Sequence, residues 1–264
     1  MSLLLEIPLF LLIALYSYLE AFIKLFIPVK RKSVTGEIVL ITGAGHGLGR
    51  AMAYEFAKHR SRLVLWDINK VKEEIGDVSI LMNNAGVIAP TDLLSTEDCE
   101  IQKMFEVNIL AHYWTSKAFL PTMMRNNRGH VVTVASAGGH IVAPFLVTYC
   151  STKFAAVGFH KALTQELITL KKNGVQTSCI CPMFINSGFV KNPSSRLMPP
   201  LEPEEVAKKV MEGILANKRM IFVPPLLKVS VMLDRFLPAR AVAALWRLNE
   251  LKFDAVVGYK DKEK

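Results

Sequence analysis

A tyrosine and a lysine, Tyr149 and Lys153, stand four residues apart in a stretch with helical periodicity. A helix would therefore present both side chains on one face. Two further pairs share this spacing, Tyr54/Lys58 and Tyr113/Lys117. Only the pair at 149 follows a strand-like run that ends in serine, because VVTVAS closes with Ser136. Ser136, Tyr149 and Lys153 are therefore the candidate catalytic residues.

These three residue types are suited to removing a proton from a hydroxyl group. A nearby ammonium can lower the pKa of a phenol from about 10 toward neutrality. We expect Lys153 to act on Tyr149 in this way. The phenolate could then accept the proton of a substrate alcohol, while Ser136 holds the oxygen on which charge develops. A hydride would be transferred from the carbon atom that bears this hydroxyl to a nicotinamide.

A glycine-rich loop supplies a candidate nucleotide site. The segment TGAGHGLG, from Thr42 to Gly49, fits T-G-x-x-x-G-x-G but not G-x-G-x-x-G. It lies between a strand-like run and a helical one, so its N–H groups could meet a pyrophosphate at a helix N-terminus. A tight structural connection would have the same composition.

Asp67 ends the next strand-like run, RLVLWD. A carboxylate at this position can accept hydrogen bonds from an adenosine ribose and repel a 2′-phosphate, which favours NAD over NADP. A helix-capping aspartate is the alternative reading of this residue.

The elements that would position these residues alternate between strands and helices from Gly36 onward. Apolar runs typical of buried strands lie at 37–42, 62–67, 78–84, 130–136, 175–182 and 220–224. Helical segments lie at 51–59, at about 101–124 and at about 149–172. Continuous apolar strands separated by helices predict an α/β fold, a doubly wound parallel sheet covered on both faces.

The N-terminal region has a different character. Residues 3–28 are mostly apolar, and a basic cluster follows at 30–32. Basic residues after the apolar run, rather than before it, argue against a secretory signal peptide. The uninterrupted apolar core at 7–19 is shorter than the roughly 20 residues that span a bilayer.

Three polar residues, Ser17, Glu20 and Lys24, would form a stripe along this segment if it were helical. We therefore expect it to lie in one membrane leaflet, with the basic cluster against anionic headgroups. A single-pass anchor and a helix packed on its own domain remain open. Both membrane arrangements leave the body in the cytosol.

Composition limits the other functions. The chain of 264 residues is 51% hydrophobic and 21% charged, which is typical of a packed globular body. Its net charge of +9 is dispersed over the sequence, which argues against nucleic-acid binding. The cysteines fit neither a zinc site nor a disulfide framework, so we expect a reduced, cytosol-facing protein without a metal. They are Cys99, Cys150, Cys179 and Cys181.

The segments TGAGHGLG, NNAG (83–86) and YCSTK (149–153), with Asn108 and Ser136, together resemble the short-chain dehydrogenase/reductase family. The likeness runs from about Gly36 to the last strand. WDINK, FEVNI, STKFAAVGFH and FDAVVGYK resemble its membrane-anchored 17β-hydroxysteroid dehydrogenases, types 11 and 13, of lipid droplets and endoplasmic reticulum. The resemblance implies a Rossmann-type body, NAD, and oxidation of a hydroxyl on a steroid, retinoid or other lipid.

The resemblance also implies roles for single residues. Asn108 would support the proton relay, and Lys153 would also bind the nicotinamide ribose. The residues expected to bind or border the cofactor are Gly43, Gly47, Leu48, Gly49, Asp67, Asn83, Gly86, Lys153 and Pro182. PMFINS (182–187) matches the family's Pro-Gly-x-x-x-Thr loosely, because Met183 replaces glycine and Ser187 replaces threonine. A homodimer through the helices that carry Asn108 and Tyr149 is implied as well.

We therefore predict three regions: a membrane anchor at 1–32, a catalytic domain at 33–224 and an amphipathic extension at 225–264. The segment 187–205 would be a mobile loop over the substrate, or else an ordinary surface connection. The extension could cover the substrate mouth, rest on a membrane or pack on the domain as a helix.

The chain departs from the family after Asp67. Family members have a helix, a strand and most of another helix there, whereas this chain has INKVKEEIGD before the next strand. Ten residues reach about 15 Å as a helix and roughly 33–36 Å when extended, and the connection must cover about 20 Å along the sheet. We expect a block to be missing after Lys70, which leaves 62–67 as an apolar sheet edge and weakens NAD binding.

The leading function is an NAD-dependent oxidoreductase for the hydroxyl of a lipophilic substrate, on lipid droplets and endoplasmic reticulum membrane. The alternative is a shortened, catalytically impaired variant that acts as a lipid-droplet interaction protein. A lipid-binding module that never used a nucleotide is the third possibility, and it would leave Ser136, Tyr149 and Lys153 unexplained.

Overall fold

The computed structural model describes residues 3–24, 26–27, 29–66, 77–249 and 252–254. They belong to two compact units, Met1–Lys32 and Ser33–Lys264. Asp67 and most of the connection predicted to be shortened lie outside the described residues.

The first unit contains the helix α1, Leu3–Lys24. Its 22 residues correspond to about 33 Å of helix, and Ile7–Lys24 is long and apolar enough to cross a membrane. The polar stripe is paired within the helix, because the Ser17 hydroxyl donates to the Ile13 carbonyl at 2.7 Å and Glu20 pairs with Lys24. The helix is therefore a candidate anchor, and its length allows a crossing as well as a position in one leaflet.

The second unit is built on a parallel sheet of six strands. They are β1 (Ile38–Thr42), β2 (Arg62–Trp66), β3 (Ile80–Asn83), β4 (Gly129–Val134), β5 (Val175–Pro182) and β6 (Met220–Val223). Their order is β2-β1-β3-β4-β5-β6, and every neighbouring pair is parallel. The predicted α/β fold with a parallel sheet is confirmed.

Helices connect the strands. They are α2 (Gly47–Lys58), α3 (Asp98–Phe105), α4 (Ala111–Arg125), α5 (Val147–Thr169), α6 (Pro203–Leu215), α7 (Leu227–Phe236) and α8 (Ala239–Asn249). A π-helical segment, Glu106–Leu110, joins α3 to α4. A short 3₁₀ turn, Ala137–Gly139, follows β4.

The core lies in two layers, one on each face of the sheet. Alternate residues of β1 point to opposite faces, so Val39 and Ile41 are buried in the same cluster as Phe56 of α2. Leu40 is buried on the other side, in a cluster that contains Met123 of α4. Helices α2 and α6 thus cover one face, and α4 and α5 cover the other.

Within the described part of the chain, β2 pairs with β1 alone and forms one edge of the sheet. Leu65 is 54% exposed, and Leu63 and Val64 are half-buried. This position agrees with the apolar edge that the short connection predicts.

Helix α6 corrects the predicted loop at 187–205, because the last three of those residues already belong to the helix. Pro203 occupies the first turn together with Glu204 and Glu205, a common helix start. The buried residues Val206 and Val210 then follow at helical spacing. These signals were available in the sequence.

Candidate active site

A cavity of about 660 Å³ opens at the carboxyl ends of the strands. It is lined by the glycine-rich loop after β1, by the ends of β4 and β5, by the start of α5 and by the segment after β5. β2 lies on one side of β1 and β3 lies on the other, so the strand order changes direction at β1. Ligands of open α/β sheets bind at such a switch point. The volume lies in the range of ligand sites.

The glycine-rich loop has no room for side chains at key positions. Gly43 and Gly47 have φ angles of +64° and +49°, a region that favours glycine. A Cβ on Gly43 would lie 2.8 Å from the Cα of Ala85, and a Cβ on Gly49 would lie 2.2 Å from the Gly43 carbonyl oxygen. The loop can therefore pack against the end of β3 and present its backbone to the cavity.

Two polar residues fix this loop to the end of β3. The Thr42 hydroxyl accepts hydrogen bonds from the backbone N–H groups of Asn84 and Ala85, each at 3.0 Å. The Asn84 side-chain amide donates to the carbonyl oxygens of Thr42 and Gly43 at 2.9 and 3.0 Å. Asn84 was not among the predicted cofactor residues, although NNAG contains it.

Asn83, which the resemblance assigned to the cofactor border, lies elsewhere. Its side chain is buried, and its amide oxygen accepts a hydrogen bond from the Thr115 hydroxyl at 2.7 Å. It does not belong to the cavity lining, whereas Asn84 does. Adjacent strand residues point to opposite sides, so only one of two neighbouring asparagines can meet the cavity.

Asn108 lies in the π-helical segment and is fully buried. Its amide oxygen accepts from the Val87 N–H at 2.8 Å, and its amide nitrogen donates to the Val87 carbonyl at 2.9 Å. The same nitrogen donates to the Thr152 hydroxyl at 3.0 Å. Asn108 therefore joins the segment after β3 to α5 from behind the cavity wall.

Ser136, Tyr149 and Lys153 come together in the cavity lining. Ser136 follows β4, and its hydroxyl accepts from the Gly138 N–H at 3.1 Å. Lys153 donates to the Val134 carbonyl at 3.0 Å, and its ammonium lies 5.7 Å from the centroid of the Tyr149 ring. β4 and α5 therefore bring Ser136, Tyr149 and Lys153 to the wall of one cavity.

Burial dominates the ionisation of these groups. It raises the pKa of Tyr149 to about 12, and the hydrogen bond with Ser136 acts in the opposite direction. It lowers the pKa of Lys153 to about 8. The prediction of a Tyr149 pKa lowered toward neutrality is thus wrong for this structure, because the loss of hydration on burial outweighs the attraction between a phenolate and the Lys153 ammonium, which donates to the Val134 carbonyl.

The rest of the cavity is mainly apolar. Phe189, after β5, lies with its ring centroid 6.1 Å from that of Tyr149. Ser187 packs against the glycine-rich loop, where a Cβ on Gly47 would lie 3.0 Å from the Ser187 Cβ. The apolar lining includes Val87, Ile88, Ile141, Val142, Ala143, Leu146, Phe184, Phe189 and Val190.

Most predicted cofactor residues lie in this lining. They are Gly43, Gly47, Leu48, Gly49, Gly86, Lys153 and Pro182. Gly86 stands between two other candidates, since a Cβ there would lie 3.5 Å from the Asn108 amide oxygen and 3.7 Å from the Lys153 ammonium. Asp67 lies outside the described residues.

Comparisons with known proteins agree with this architecture. The family model of the short chain dehydrogenases matches residues 68–197. The chain is 53% identical to 17-beta-hydroxysteroid dehydrogenase 13 of Rattus norvegicus, with full coverage of both chains. It is 55% identical to estradiol 17-beta-dehydrogenase 11 of Homo sapiens, over 99% of each chain. The chain therefore belongs to the short chain dehydrogenase family of oxidoreductases.

Solved structures show the same fold. A short chain dehydrogenase/reductase from Burkholderia phymatum, in complex with NAD, matches with a TM-score of 0.69 and 23% identity. The match covers 77% of this chain and 94% of that one.

The comparison with the rat protein also bears on the missing block. It spans 300 aligned positions, whereas this chain has 264 residues, a difference of 36 positions without a counterpart here. The difference is of the size expected for the helix–strand–helix block predicted to be missing.

Proposed function

We propose that this protein is an NAD-dependent oxidoreductase that oxidises the hydroxyl of a lipophilic substrate through Tyr149, Lys153 and Ser136. The observation that carries the proposal is the meeting of these three side chains with the glycine-rich loop in one cavity of about 660 Å³. The names of the two relatives, a 17-beta-hydroxysteroid dehydrogenase and an estradiol 17-beta-dehydrogenase, support a steroid or related lipid as substrate.

The described residues fit NAD over its pyrophosphate and nicotinamide ends. The glycine-rich loop lines the cavity and the first turn of α2 carries no acidic residue, so a pyrophosphate can bind to the backbone N–H groups there. Lys153 can donate to the ribose, and Gly86 leaves space beside it. When bound, NAD supplies the hydride acceptor.

The protein groups handle the proton. Ser136 and Tyr149 both line the cavity, so a substrate oxygen that reaches both would exchange its proton with the phenol. Lys153, charged below about pH 8, favours the phenolate that forms during alcohol oxidation. Asn108 keeps α5 in register with the segment after β3, which holds these groups in place.

The apolar lining supports a lipophilic substrate. Phe184, Phe189 and Val190 would contact the hydrocarbon part, while the hydroxyl reaches Tyr149. Within the described lining, the ionisable side chains apart from Tyr149 and Cys150 are His46, Lys103 and Lys153, and no carboxylate is present. Such a site would bind cationic substrates poorly.

The test is turnover by the full-length protein in detergent micelles, with NAD and estradiol or retinol as substrates. We expect the native chain to form reduced nicotinamide and Tyr149→Phe to lose about a hundredfold or more of this rate. Tyr113→Phe is the matched control, because that ring lies against Phe159, outside the cavity lining. Equal rates in the native chain and Tyr149→Phe would contradict the proposed role.

The location and assembly complete the proposal. Residues 1–32 would anchor the protein to lipid droplets and endoplasmic reticulum membrane, with the catalytic domain at 33–224 and the extension at 225–264 facing the cytosol. A homodimer would use α4 and α5, where Trp114 is 61% exposed and Phe154 is 44% exposed. Trp114→Glu should then lower the mass measured by sedimentation.

A second candidate function is favoured by the exposed edge strand β2 and by the 36 positions of the alignment with the rat protein that have no counterpart in this chain. In this account the protein retains the fold and the anchor but binds NAD too weakly for turnover, and acts through its surface on lipid droplets. Absence of turnover at physiological NAD concentrations would favour it.

A further inference from the structure

The segment between β5 and α6 is fastened to the end of the described chain. We call residues 186–202 the substrate loop, because several of them line the cavity beside Tyr149. Residues 249 and 252–254 form the C-terminal clasp. The contacts between loop and clasp combine side-chain hydrogen bonds, backbone pairing and a buried ring.

Asn249 supplies the side-chain contacts. Its amide oxygen accepts from the Ser195 hydroxyl at 2.8 Å and from the Leu197 N–H at 3.2 Å. Its carbonyl accepts from the Arg196 N–H at 2.9 Å. Ser195 and Asn249 are 9% and 5% exposed, so these bonds are shielded from water. Asn249 therefore holds three consecutive loop residues, Ser195 and Leu197 through its side chain and Arg196 through its backbone carbonyl.

Backbone pairing continues the attachment. Ser194 and Lys252 form an isolated antiparallel bridge, with N–H to carbonyl distances of 2.8 and 2.9 Å. Beyond it, the Asn192 side-chain amide donates to the Asp254 carboxylate at 2.9 Å. The predicted mobile loop is thus held from Asn192 to Leu197.

Phe253 lies between these contacts and the cavity wall. It is 1% exposed and is buried in one cluster with Tyr149, Leu146 and Val190. Its ring centroid is 6.4 Å from that of Phe184. Leu146, Phe184 and Val190 line the cavity, whereas Phe253 does not, so Phe253 supports the apolar wall from behind.

We propose that Asn249 and Phe253 determine substrate specificity by fixing the position of the substrate loop and the extent of the cavity's apolar end. The inference rests on the proposed function for its substrate class, a lipophilic alcohol. Phe253 limits how far the hydrocarbon part of the substrate extends beyond Phe184. Asn249 prevents the substrate loop from moving away, which would admit a longer hydrocarbon part. These are positioning residues, because neither touches the cavity.

The first test measures the loop without any substrate. In the full-length protein in detergent micelles, Asn249→Ala should raise amide hydrogen exchange at Leu197 and Met198 by at least about tenfold. Ser194→Ala is the matched control, because Ser194 is exposed and joins the clasp through its backbone. Unchanged exchange in Asn249→Ala would overturn the role of Asn249.

The second test measures specificity with octanol, dodecanol and hexadecanol. Phe253→Ala should raise the ratio of kcat/KM for the longest alcohol to that for the shortest by about tenfold over the native ratio. Phe253→Leu keeps most of the buried volume and should give a smaller shift. Partition of each alcohol into micelles is common to all variants, so it cancels when their ratios are compared.

A uniform loss of kcat/KM for all three alcohols in both Phe253 variants would overturn the role of Phe253, since a merely structural residue would act in that way. If the native chain turns over none of the alcohols, the proposed function fails in this assay. In that case calorimetry measures the binding of the same alcohols, and the ratio of the affinity for the longest alcohol to that for the shortest replaces the ratio of kcat/KM as the test of the inference.

Discussion

At the scale of single residues, burial sets the protonation states of Tyr149 and Lys153 before a substrate binds. The Tyr149 phenol stays protonated at neutral pH, since its pKa is about 12, and the Lys153 ammonium is charged below about pH 8. A protonated phenol can give its proton to a carbonyl oxygen. It must lose that proton before it can accept one from an alcohol.

This arrangement predicts different pH dependences for the two directions of reaction. A raised phenol pKa makes the basic form scarce at neutral pH, so kcat/KM for alcohol oxidation should rise between about pH 6 and pH 8. Above about pH 8, Lys153 loses its charge and the rise should level off. Ketone reduction should be almost independent of pH below about pH 7, since the phenol and the ammonium are both protonated there, and should fall above about pH 8 as Lys153 loses its charge. Steady-state rates in both directions from about pH 6 to about pH 9 provide the measurement, and an oxidation rate that does not rise with pH would contradict the assignment.

Two glycines provide another comparison at this scale. Gly49→Ala places a Cβ 2.2 Å from the Gly43 carbonyl oxygen, so we expect a loss of about 1–3 kcal/mol in the free energy of unfolding. Gly158→Ala is the control, since that glycine is exposed in α5 with nothing near its Cβ. It should gain about 0.5–1 kcal/mol. Denaturant unfolding measures both, and a neutral Gly49→Ala would contradict the close packing of the loop.

At the scale of elements, the site depends on how strand ends and helix starts meet. The strand runs and the helices α2 and α5 followed from apolar runs and periodicity. The π-helical segment had no such signal, because it differs from an α-helix only in how the backbone closes around Asn108. The choice between Asn83 and Asn84 also could not be made, since it depends on which face of β3 meets α4.

Thr42 tests the junction of β1 and β3. Its hydroxyl accepts from the N–H groups of Asn84 and Ala85, so Thr42→Val should leave two donors unpaired and cost about 1–3 kcal/mol for each that water cannot reach. Thr169→Val is the control, since that exposed hydroxyl bonds only its own helix. Thermal unfolding gives the comparison. A Thr42→Val protein as stable as the control would contradict the role of this hydroxyl.

At the scale of the whole molecule, an apolar helix and a catalytic unit belong to one chain. Large apolar side chains of α1 are exposed, for example Phe10 at 66% and Leu15 at 69%. Such a surface needs a covering, and a lipid environment provides one.

Deletion of residues 1–32 should therefore move the protein from the membrane or droplet fraction to the soluble fraction of a cell lysate. Replacement of the basic cluster at 30–32 by glutamine should weaken binding to anionic vesicles by about 1 kcal/mol per charge. Flotation of vesicles with and without anionic lipid measures this effect. Retention of the deleted protein on membranes would contradict the anchor.

Across the whole molecule, part of the fold and of the candidate site could be predicted from the sequence alone. The motif order was sufficient to identify the family, because TGAGHGLG, NNAG and YCSTK occur together at family spacing. The clasp could not be predicted, since Asn249 and Phe253 lie more than fifty residues from the loop residues they contact and belong to no motif. The edge position of β2 was predictable from the length of the following connection.

The most direct test of the central claim is titration of NAD into the full-length protein in detergent micelles, followed by calorimetry. A version with a family helix–strand–helix restored after Lys70 is measured beside it. We predict saturable binding by both, weaker in the native chain because its adenine side is shortened. Binding by the restored version alone would contradict an NAD-dependent oxidoreductase and leave the impaired lipid-droplet protein as the function.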